Sequence, residues 1–454
     1  MDRLWRALSP ARLFLALALP ATLILSFAFP NFHAPDDSDH VMRAYTLAHG
    51  AAAPITPTGR SSGAMIDSGL ADYVAAQRPV SVLSGAPPTA AEARASRYAP
   101  GLRSTGETRF AELPGAVAYF PALYAPQTLA LEAARLGGLT ISQSVLAARL
   151  ANGLAGILLI ALGLRLLPCG HALALVLLLL PRTLLQLASN SADPILYGLS
   201  LLVIALGLRQ TGRLNGALAG AALFIGASVR PPLAALSLTP ALRAVRNRDR
   251  GGLLLLAAGV AGAAAWTLLV LRQIVDLRCG GGGAPGPRMA EFALAWPRLI
   301  GTSLAEHGSY YLTSFIGHFG WGDGPNGRFS YALPSWMYIS TLALLPIAVR
   351  NDVRAAAAPD RLERASLFAG AALLVLITFL AMFVACRASP TGSIAGVQGR
   401  YFLPALLALA PALSGLAPAA ARDRLHSAFP ILLSVWTAAC TAGMALEAQR
   451  LYAA

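Results

Sequence analysis

Residues 13–29 read LFLALALPATLILSFAF, an apolar run without a charged side chain. Arg3, Arg6 and Arg12 precede this run, and Pro35-Asp36-Asp37-Ser38-Asp39-His40 follows it. About 18 apolar residues are enough to cross the hydrocarbon core of a bilayer as a helix. Basic residues before such a run predict a cytoplasmic N-terminus, and no clear small-x-small cleavage site ends it. We therefore expect a retained first spanning helix, with the acidic stretch on the opposite side of the membrane.

The composition extends this expectation to the whole chain. Of 454 residues, 56% are hydrophobic and only 12% are charged, whereas a soluble domain has about 25% charged residues. In lipid the backbone must satisfy its own hydrogen bonds, and continuous apolar runs without alternation favour helices over a barrel. The sequence predicts an all-α polytopic membrane protein with about 11 spans, forming a single transmembrane domain over residues 1–454.

The positions of the apolar runs predict the individual helices and the loops between them. The short loops assigned to the cytoplasm are rich in arginine or have an arginine at their edge, as the positive-inside bias requires. Two long polar segments, 30–115 and 273–333, are predicted as extracytoplasmic loops, the first with short helices near 39–50 and 69–77. The predicted spans are 12–29, 144–166, 171–188, 194–208, two short helices within 215–242 that meet at Arg230-Pro231-Pro232, 251–272, 334–349, 365–385, 400–418 and 427–446.

The charge and cysteine content restrict the partners. The formal net charge is +14, and all 35 basic residues are arginines. Because these arginines cluster in short loops between apolar runs, we predict contact with membrane lipids and none with nucleic acid. No C-x-x-C motif is present, so no zinc site is indicated. Cys279 and Cys386 both fall in predicted outer loops, where they either form a disulfide or remain two unpaired thiols.

Acidic residues near two predicted helix starts are the candidates for chemistry. By themselves, Asp36, Asp37 and Ser38 favour helix capping, since Asp and Ser are preferred N-cap residues. A carboxylate at this place is also a candidate general base for a hydroxyl nucleophile. His40 either orients an Asp or binds a divalent metal together with Asp36. Asp193 is either a second acidic wall of the same cavity or an N-cap before Pro194.

Several arginines lie in or beside apolar segments, where an unpaired charge is costly. A lipid phosphate or pyrophosphate is one partner for them, because guanidinium binds phosphate in a bidentate manner. The alternatives are salt bridges to Asp36, Asp193 or Asp323, or snorkelling towards the interface. These arginines are Arg43, Arg182, Arg230 and Arg400.

Five stretches in a fixed order carry a resemblance to a known family. They are Pro35-Asp36-Asp37-Ser38-Asp39-His40 with Arg43 and the end at Leu47–Gly50; Tyr119-Phe120-Pro121-Ala122-Leu123-Tyr124-Ala125-Pro126-Gln127; Ser189-Asn190-Ser191-Ala192-Asp193; Phe315-Ile316-Gly317-His318-Phe319-Gly320-Trp321; and Gly396-Val397-Gln398-Gly399-Arg400-Tyr401-Phe402-Leu403-Pro404. The last stretch is the most specific. Together they resemble a bacterial family of polytopic membrane proteins, the domain of unknown function 2142 (DUF2142). Its helix count and first outer loop are similar to those of the membrane-embedded C-type (GT-C) glycosyltransferases.

The resemblance implies a site on the outer face of the bacterial inner membrane. In C-type enzymes an acidic residue soon after the first helix acts on the acceptor. The resemblance therefore favours a catalytic role of this acidic stretch over helix capping. It implies Asp36 as the base, or else Asp37. The family usually has Asp-Glu where this chain has Asp36-Asp37. Arg400, with Arg230, is implied as the ligand of the donor phosphate. Further substrate-binding residues are implied at His40, Arg43, Asp193 and Gln398.

The implied reaction moves a sugar from a polyprenyl-phosphate donor to a cell-envelope glycan or lipid acceptor. One alternative is a transporter or flippase of an envelope glycolipid, which would need the same arginines but no base. The missing internal repeat and the long first loop speak against it. Another alternative is a non-catalytic subunit of an envelope-polymer assembly complex.

Overall fold

The structure is a computed structural model. It describes residues 9–77, 89–209, 212–277, 285–319, 331–352, 358–385, 392–415 and 422–452. The helices, numbered in chain order, are α1 Pro10–Ala28, α2 Asp37–Ala48, α3 Ser68–Gln77, α4 Ala90–Tyr98, α5 Ala125–Leu136, α6 Ile141–Leu166, α7 His171–Leu178, α8 Pro181–Leu187, α9 Asp193–Gly207, α10 Arg213–Ala227, α11 Leu238–Arg246, α12 Arg250–Gln273, α13 Pro285–Ile316, α14 Ser335–Asn351, α15 Arg361–Ala385, α16 Leu403–Leu413 and α17 Arg422–Tyr452. Short 3₁₀ turns, Pro231–Ser237 and Gly399–Phe402 among them, connect some of these helices.

The helical prediction is confirmed, and several helices are suited to a membrane. In the described part of the chain, 5 helices are long and apolar enough to cross a bilayer: α1, α6, α12, α15 and the part of α17 from Ala428 to Leu451. Shorter apolar helices, α9 and α10 among them, pack between these spans. The chain is thus a multi-pass helical membrane protein, and the larger number of eleven spans stays a prediction.

Two predicted spans differ in detail from the observed helices. The run 171–188 is divided into α7 and α8, because Pro181 lacks an N–H and its ring clashes with the preceding turn of a continuous helix. The predicted helix 400–418 begins as a 3₁₀ turn, and its α-helical part ends at Leu413. The interruption predicted at Arg230-Pro231-Pro232 is confirmed, since α10 ends at Ala227 and α11 begins only at Leu238.

The polar segment 30–115 is folded over much of its length. The short helices predicted near 39–50 and 69–77 are present as α2 and α3. Strands β1 Gly63–Asp67 and β2 Thr108–Glu112, which the sequence analysis did not predict, pair antiparallel. The segment is fastened to the first turn of α6, because Tyr73 Oη lies 3.2 Å from Ser142 Oγ.

Asp67 holds a turn of this segment in place. Its carboxylate accepts hydrogen bonds from the backbone N–H groups of Leu70, Thr105 and Gly106 and from the Ser104 hydroxyl, at 2.8–3.1 Å. Burial alone would raise the pKa of Asp67, but these hydrogen bonds to the charged form outweigh it and lower the pKa below its usual value. Asp67 therefore acts as an anchor between β1 and the turn before β2.

The segment 273–333 was predicted as a loop, but it contains the 32-residue helix α13. The prediction missed this helix because Glu291, Arg298 and Glu306 interrupt its apolar sequence and Pro297 lies inside it. Phe292, Tyr310 and Tyr311 of α13 are buried in an aromatic cluster with Phe379 and Phe383 of α15. A second pair of short strands, β3 His318–Phe319 and β4 Tyr331–Ala332, follows α13.

The bundle has two chemically different ends. Helix α9 runs from Asp193 to Gly207, about 22 Å at 1.5 Å per residue. The start of α9 lies beside Asp37, whose carboxylate accepts a hydrogen bond from the N–H of Asn190. At the opposite end, Arg209 follows α9 and lies at the arginine-rich loops. Cys169 and Cys440 are free and buried, whereas Cys279 and Cys386 lie outside the described residues.

Candidate functional site

Asp193 is the centre of a buried ion cluster at the start of α9. Its side chain has no solvent-exposed surface, and its Oδ1 lies 2.5 Å from Arg230 Nη2. Its Oδ2 lies 3.3 Å from Arg400 Nη1 and accepts a hydrogen bond from Gln186 Nε2 at 2.6 Å. The N-cap residue of α9 is Ala192, so the capping alternative for Asp193 is wrong. Of the alternatives for Arg230 and Arg400, salt bridges are observed: both arginines pair with Asp193, and Arg400 also lies 3.9 Å from Asp36. Asp323 lies outside the described residues.

Both arginines of the cluster come from turns rather than from helix interiors. Arg230 precedes the 3₁₀ turn that its two following prolines begin, and Arg400 lies in the turn Gly399–Phe402. The guanidinium carbons lie 4.7 Å (Arg230) and 5.3 Å (Arg400) from the ring centroid of Tyr401. A tyrosine ring attracts cations by its quadrupole, so Tyr401 helps to hold two like charges near one carboxylate.

Gly399 allows the turn with Arg400 to approach α13 closely. Its N–H donates to Ser314 Oγ at 2.9 Å. A Cβ at this position would collide with the backbone of Tyr311 and Phe315. The turn therefore needs glycine here because two backbones meet without room for a side chain.

Asp36 is the exposed member of the cluster. Its backbone is left-handed, with φ 60°, a conformation that Asp tolerates better than most residues. Its side chain is 41% exposed, and its Oδ2 lies 3.9 Å from Arg400 Nη2. Asp36 holds the N-cap position of α2 but makes no side-chain capping hydrogen bond there. The capping alternative is therefore confirmed for the position of Asp36, although α2 starts at Asp37 and not near Asp39, and the Asp36 side chain makes no capping bond.

Asp37 has a different environment from its neighbour. It is 1% exposed, and its Oδ1 accepts a hydrogen bond from the N–H of Asn190 at 2.5 Å. Gln127 Nε2 donates to the carbonyl of the same Asn190, and Asn152 Nδ2 donates to the carbonyls of Ser189 and Ser191, at 2.8–3.0 Å. Asp37 thus joins the start of α2 to the buried loop that leads into Asp193.

Arg149 of α6 is a site-supporting residue that the sequence analysis missed. It is 1% exposed, and its guanidinium donates to the carbonyls of Ser26, Phe29 and Pro30 at 2.9–3.0 Å. These carbonyls belong to the end of α1 and the turn that leads to Asp36. An arginine within the predicted span 144–166 was the available signal, since such a charge is normally paired.

His40 and Arg43 of α2 bind other parts of the protein. His40 Nδ1 lies 2.7 Å from Tyr124 Oη. Burial lowers the pKa of His40 to about 4, although Asp36 and Asp193 oppose this shift, so the ring is neutral near pH 7. Arg43 Nη1 donates to the carbonyl of Ala52 at 3.0 Å, in the first polar segment.

The other two polar residues named from the sequence lie in buried positions. Gln398 is 4% exposed, and its carbonyl accepts from the N–H of Tyr401. Arg182 Nη1 donates to the carbonyl of His318 at 3.0 Å. The structure therefore brings Asp36, Asp193, Arg230 and Arg400 together, and the substrate-binding roles of His40, Arg43 and Gln398 stay predictions.

The cluster retains donors for an anionic ligand. Within the described residues, Arg230 Nη1, Arg400 Nε and the Tyr197 hydroxyl are buried and have no hydrogen-bond partner. Buried donors are normally satisfied by protein, water or ligand. The described residues contain no group of three His, Cys, Asp or Glu side chains that could hold a metal ion. Donors around Arg230 and Arg400 fit an anion such as a phosphate.

Comparison with known proteins identifies the family. The sequence pattern of the family described as "Predicted membrane protein (DUF2142)" matches residues 19–409. Because this match covers most of the chain, the protein belongs to the DUF2142 family of membrane proteins. No curated protein and no solved structure matches the chain.

Proposed function

We propose that the protein is a C-type (GT-C-like) glycosyltransferase of the bacterial inner membrane, with its N-terminus in the cytoplasm. It moves a sugar from a polyprenyl-phosphate donor to a cell-envelope glycan or lipid acceptor. One observation carries the proposal: a partly exposed carboxylate, Asp36, lies 3.9 Å from an arginine that is itself held by a buried carboxylate. A base beside a phosphate-binding group is what transfer from a phosphate-linked sugar to a hydroxyl requires.

The environments of the two aspartates favour Asp36 as the base. Asp37 is buried and engaged with the backbone of Asn190, so its carboxylate positions the loop before α9. Asp36 is exposed enough to meet an acceptor hydroxyl. In the proposed reaction it accepts the hydroxyl proton while the oxygen attacks the anomeric carbon. The bond from that carbon to the phosphate oxygen breaks, and a single displacement of this kind needs only one carboxylate.

The arginines would bind the donor phosphate and stabilise its charge as it leaves. The Arg230 side chain keeps 18% of its surface exposed, and Arg400 stands between Asp193 and Asp36. Asp193 would act as a fixed counter-charge that holds both guanidinium groups in position. Preorganised donors of this kind stabilise developing charge more strongly than mobile ones.

The test is sugar transfer by purified full-length protein from a polyprenyl-phosphate donor. We expect Asp36→Asn to lower the transfer rate by at least 100-fold, a typical contribution of a general base, with donor binding retained. Asp37→Asn should lower both transfer and thermal stability. Asp72→Asn is the matched control, because Asp72 is an exposed partner of Arg109 on the same side of the molecule, and it should transfer normally.

Three outcomes would contradict the proposal in part or as a whole. Normal transfer by Asp36→Asn would remove the base assignment. Wild-type protein that transfers no sugar but moves a lipid-linked glycan across vesicle membranes would favour a flippase. Wild-type protein with neither activity, but with a stable complex with other envelope enzymes, would favour an assembly subunit.

A further inference from the structure

The end of the bundle opposite Asp36 carries a compact group of arginines. The Arg243 guanidinium donates to the carbonyl of Arg209 at 2.8 Å. The Arg213 side chain packs over Gly251, since a Cβ there would meet its Cγ and Nε at 3.0 Å. The arginine patch, as we name it, joins the turn before α10, the end of α11 and the start of α12. Its members are Arg209, Arg213, Arg243, Arg246, Arg248 and Arg250.

The carboxylates near the patch neutralise only part of its charge. Arg246 pairs with Asp360 at 2.6 Å, and Arg243 pairs with Glu363 at 2.8 Å. Asp249 caps α12 through the N–H of Gly252. Six arginines therefore meet three described carboxylates, which leaves a surplus of positive charge on an exposed surface.

Apolar side chains on the same three helices place the patch at a lipid boundary. Leu214 is 72% exposed, Val245 60% and Leu254 71%. Each lies within four residues of an arginine of the patch. A surface that offers guanidinium groups beside exposed leucines matches the boundary between lipid headgroups and acyl chains.

Arg248 has a backbone conformation that arginine disfavours. Its φ is +54°, and it follows Asn247, the C-cap residue of α11. Glycine is the usual residue for a left-handed position after a helix, because any Cβ strains it. The chain thus keeps an exposed arginine at a place where glycine would suit the fold better.

We propose that the arginine patch binds the headgroup phosphate of anionic phospholipids in the leaflet on this side of the membrane. Charge complementarity supports an anionic headgroup, and the exposed leucines support a lipid over a soluble anion. Juxtamembrane arginines attract anionic lipid surfaces, and guanidinium matches phosphate geometry. This site lies about 22 Å from Asp193, at the other end of α9, so the proposal is independent of the glycosyltransferase proposal.

Arg248→Gly separates lipid binding from folding. In detergent without added lipid, this variant should unfold at the same temperature as the wild type or a higher one, because glycine relieves the left-handed strain. Its affinity for phosphatidylglycerol in mixed micelles should fall about fivefold, because this is the contribution to binding expected of one basic residue near an anionic membrane surface. Removing three arginines (Arg213→Ala, Arg248→Gly and Arg250→Ala) should reduce the affinity at least 50-fold.

The controls use a different arginine, a different lipid and a different anion. Arg97→Ala, which changes an exposed arginine at the other end of the molecule, should bind phosphatidylglycerol like the wild type. Phosphatidylcholine should not raise the unfolding temperature in the way phosphatidylglycerol does. Wild-type affinity in the triple variant would overturn the proposal. If inorganic phosphate competes at concentrations equal to those of the lipid, the patch binds small anions instead. If Arg248→Gly is less stable than the wild type without lipid, Arg248 stabilises the fold.

Discussion

The two ends of the bundle contain ion pairs of nearly the same length in opposite environments. Arg230 and Asp193 lie 2.5 Å apart, with the carboxylate fully buried, whereas Arg246 and Asp360 lie 2.6 Å apart with side chains 45% and 46% exposed. Water screens both charges of the second pair, whereas it is excluded from the Asp193 carboxylate of the first. The comparison shows that burial, and not the distance between the charges, decides how much stability is lost when either pair is broken.

The largest effect in this comparison is expected from Asp193→Asn. The variant removes the charge of the buried carboxylate that contacts both Arg230 and Arg400, and leaves Arg400 with Asp36 at 3.9 Å. Breaking a buried pair typically costs about 3–5 kcal/mol. Thermal unfolding of the purified protein in detergent should show a large loss of stability. Equal unfolding temperatures of variant and wild type would mean that solvent reaches the cluster.

Arg149→Met should have the next largest effect. The variant leaves the carbonyls of Ser26 and Phe29 without the Arg149 donor, while the Pro30 carbonyl keeps its contact with His33 Nδ1 at 3.3 Å. We expect this to cost about 3 kcal/mol, since a buried unsatisfied polar group costs about 1–3 kcal/mol. Arg149→Lys should be intermediate, because an ammonium lacks the planar fork of donors. Arg165→Met, at the exposed far end of the same helix, is the control and should unfold like the wild type.

Protonation of Asp67 is expected to cause a smaller loss of stability, which depends on pH. Its pKa in the folded state is lowered, so its stabilising contribution is complete above the pKa of the unfolded chain. That contribution is lost as the pH falls below about 4, the ordinary value for Asp. Hydrogen exchange of the Thr105 and Gly106 amides should accelerate in acid relative to the intrinsic rate. Asp67→Asn should abolish this dependence, and an unchanged profile in the variant would contradict the assignment.

The smallest effect is expected from Asp360→Asn, at the exposed pair. Surface ion pairs contribute little, because water already solvates both charges. The unfolding temperature should stay within experimental error of the wild type at low and at high salt. A loss comparable to that of Asp193→Asn would erase the distinction between the two ends.

Much of the fold was accessible from periodicity and composition. The bounds predicted for α1, α6, α9, α12 and α15 lie within a few residues of those observed, because long apolar runs between arginines define spanning helices whatever they pack against. Helix α13 was missed because charged residues and Pro297 interrupt its apolar sequence. The strands β1 and β2 were missed since their pairing joins residues more than 40 positions apart.

The candidate site was accessible only in part. Asp36, Asp193, Arg230 and Arg400 were all named as charges beside apolar segments, where each needs a partner. That they partner one another follows from the packing of four separate segments. Arg149 was overlooked although its position inside a span was a signal, because its acceptors are backbone carbonyls that no sequence pattern displays.

The sequence by itself determined that this protein is helical, crosses a membrane several times and carries charges that must be compensated. These properties depend on local composition and on the energy of placing polar groups in lipid. Only the tertiary structure decided which carboxylate is exposed and which is buried. Asp36 and Asp37 are chemically identical neighbours, and their difference arises from the left-handed turn at Asp36 and from the loop at Asn190 that covers Asp37.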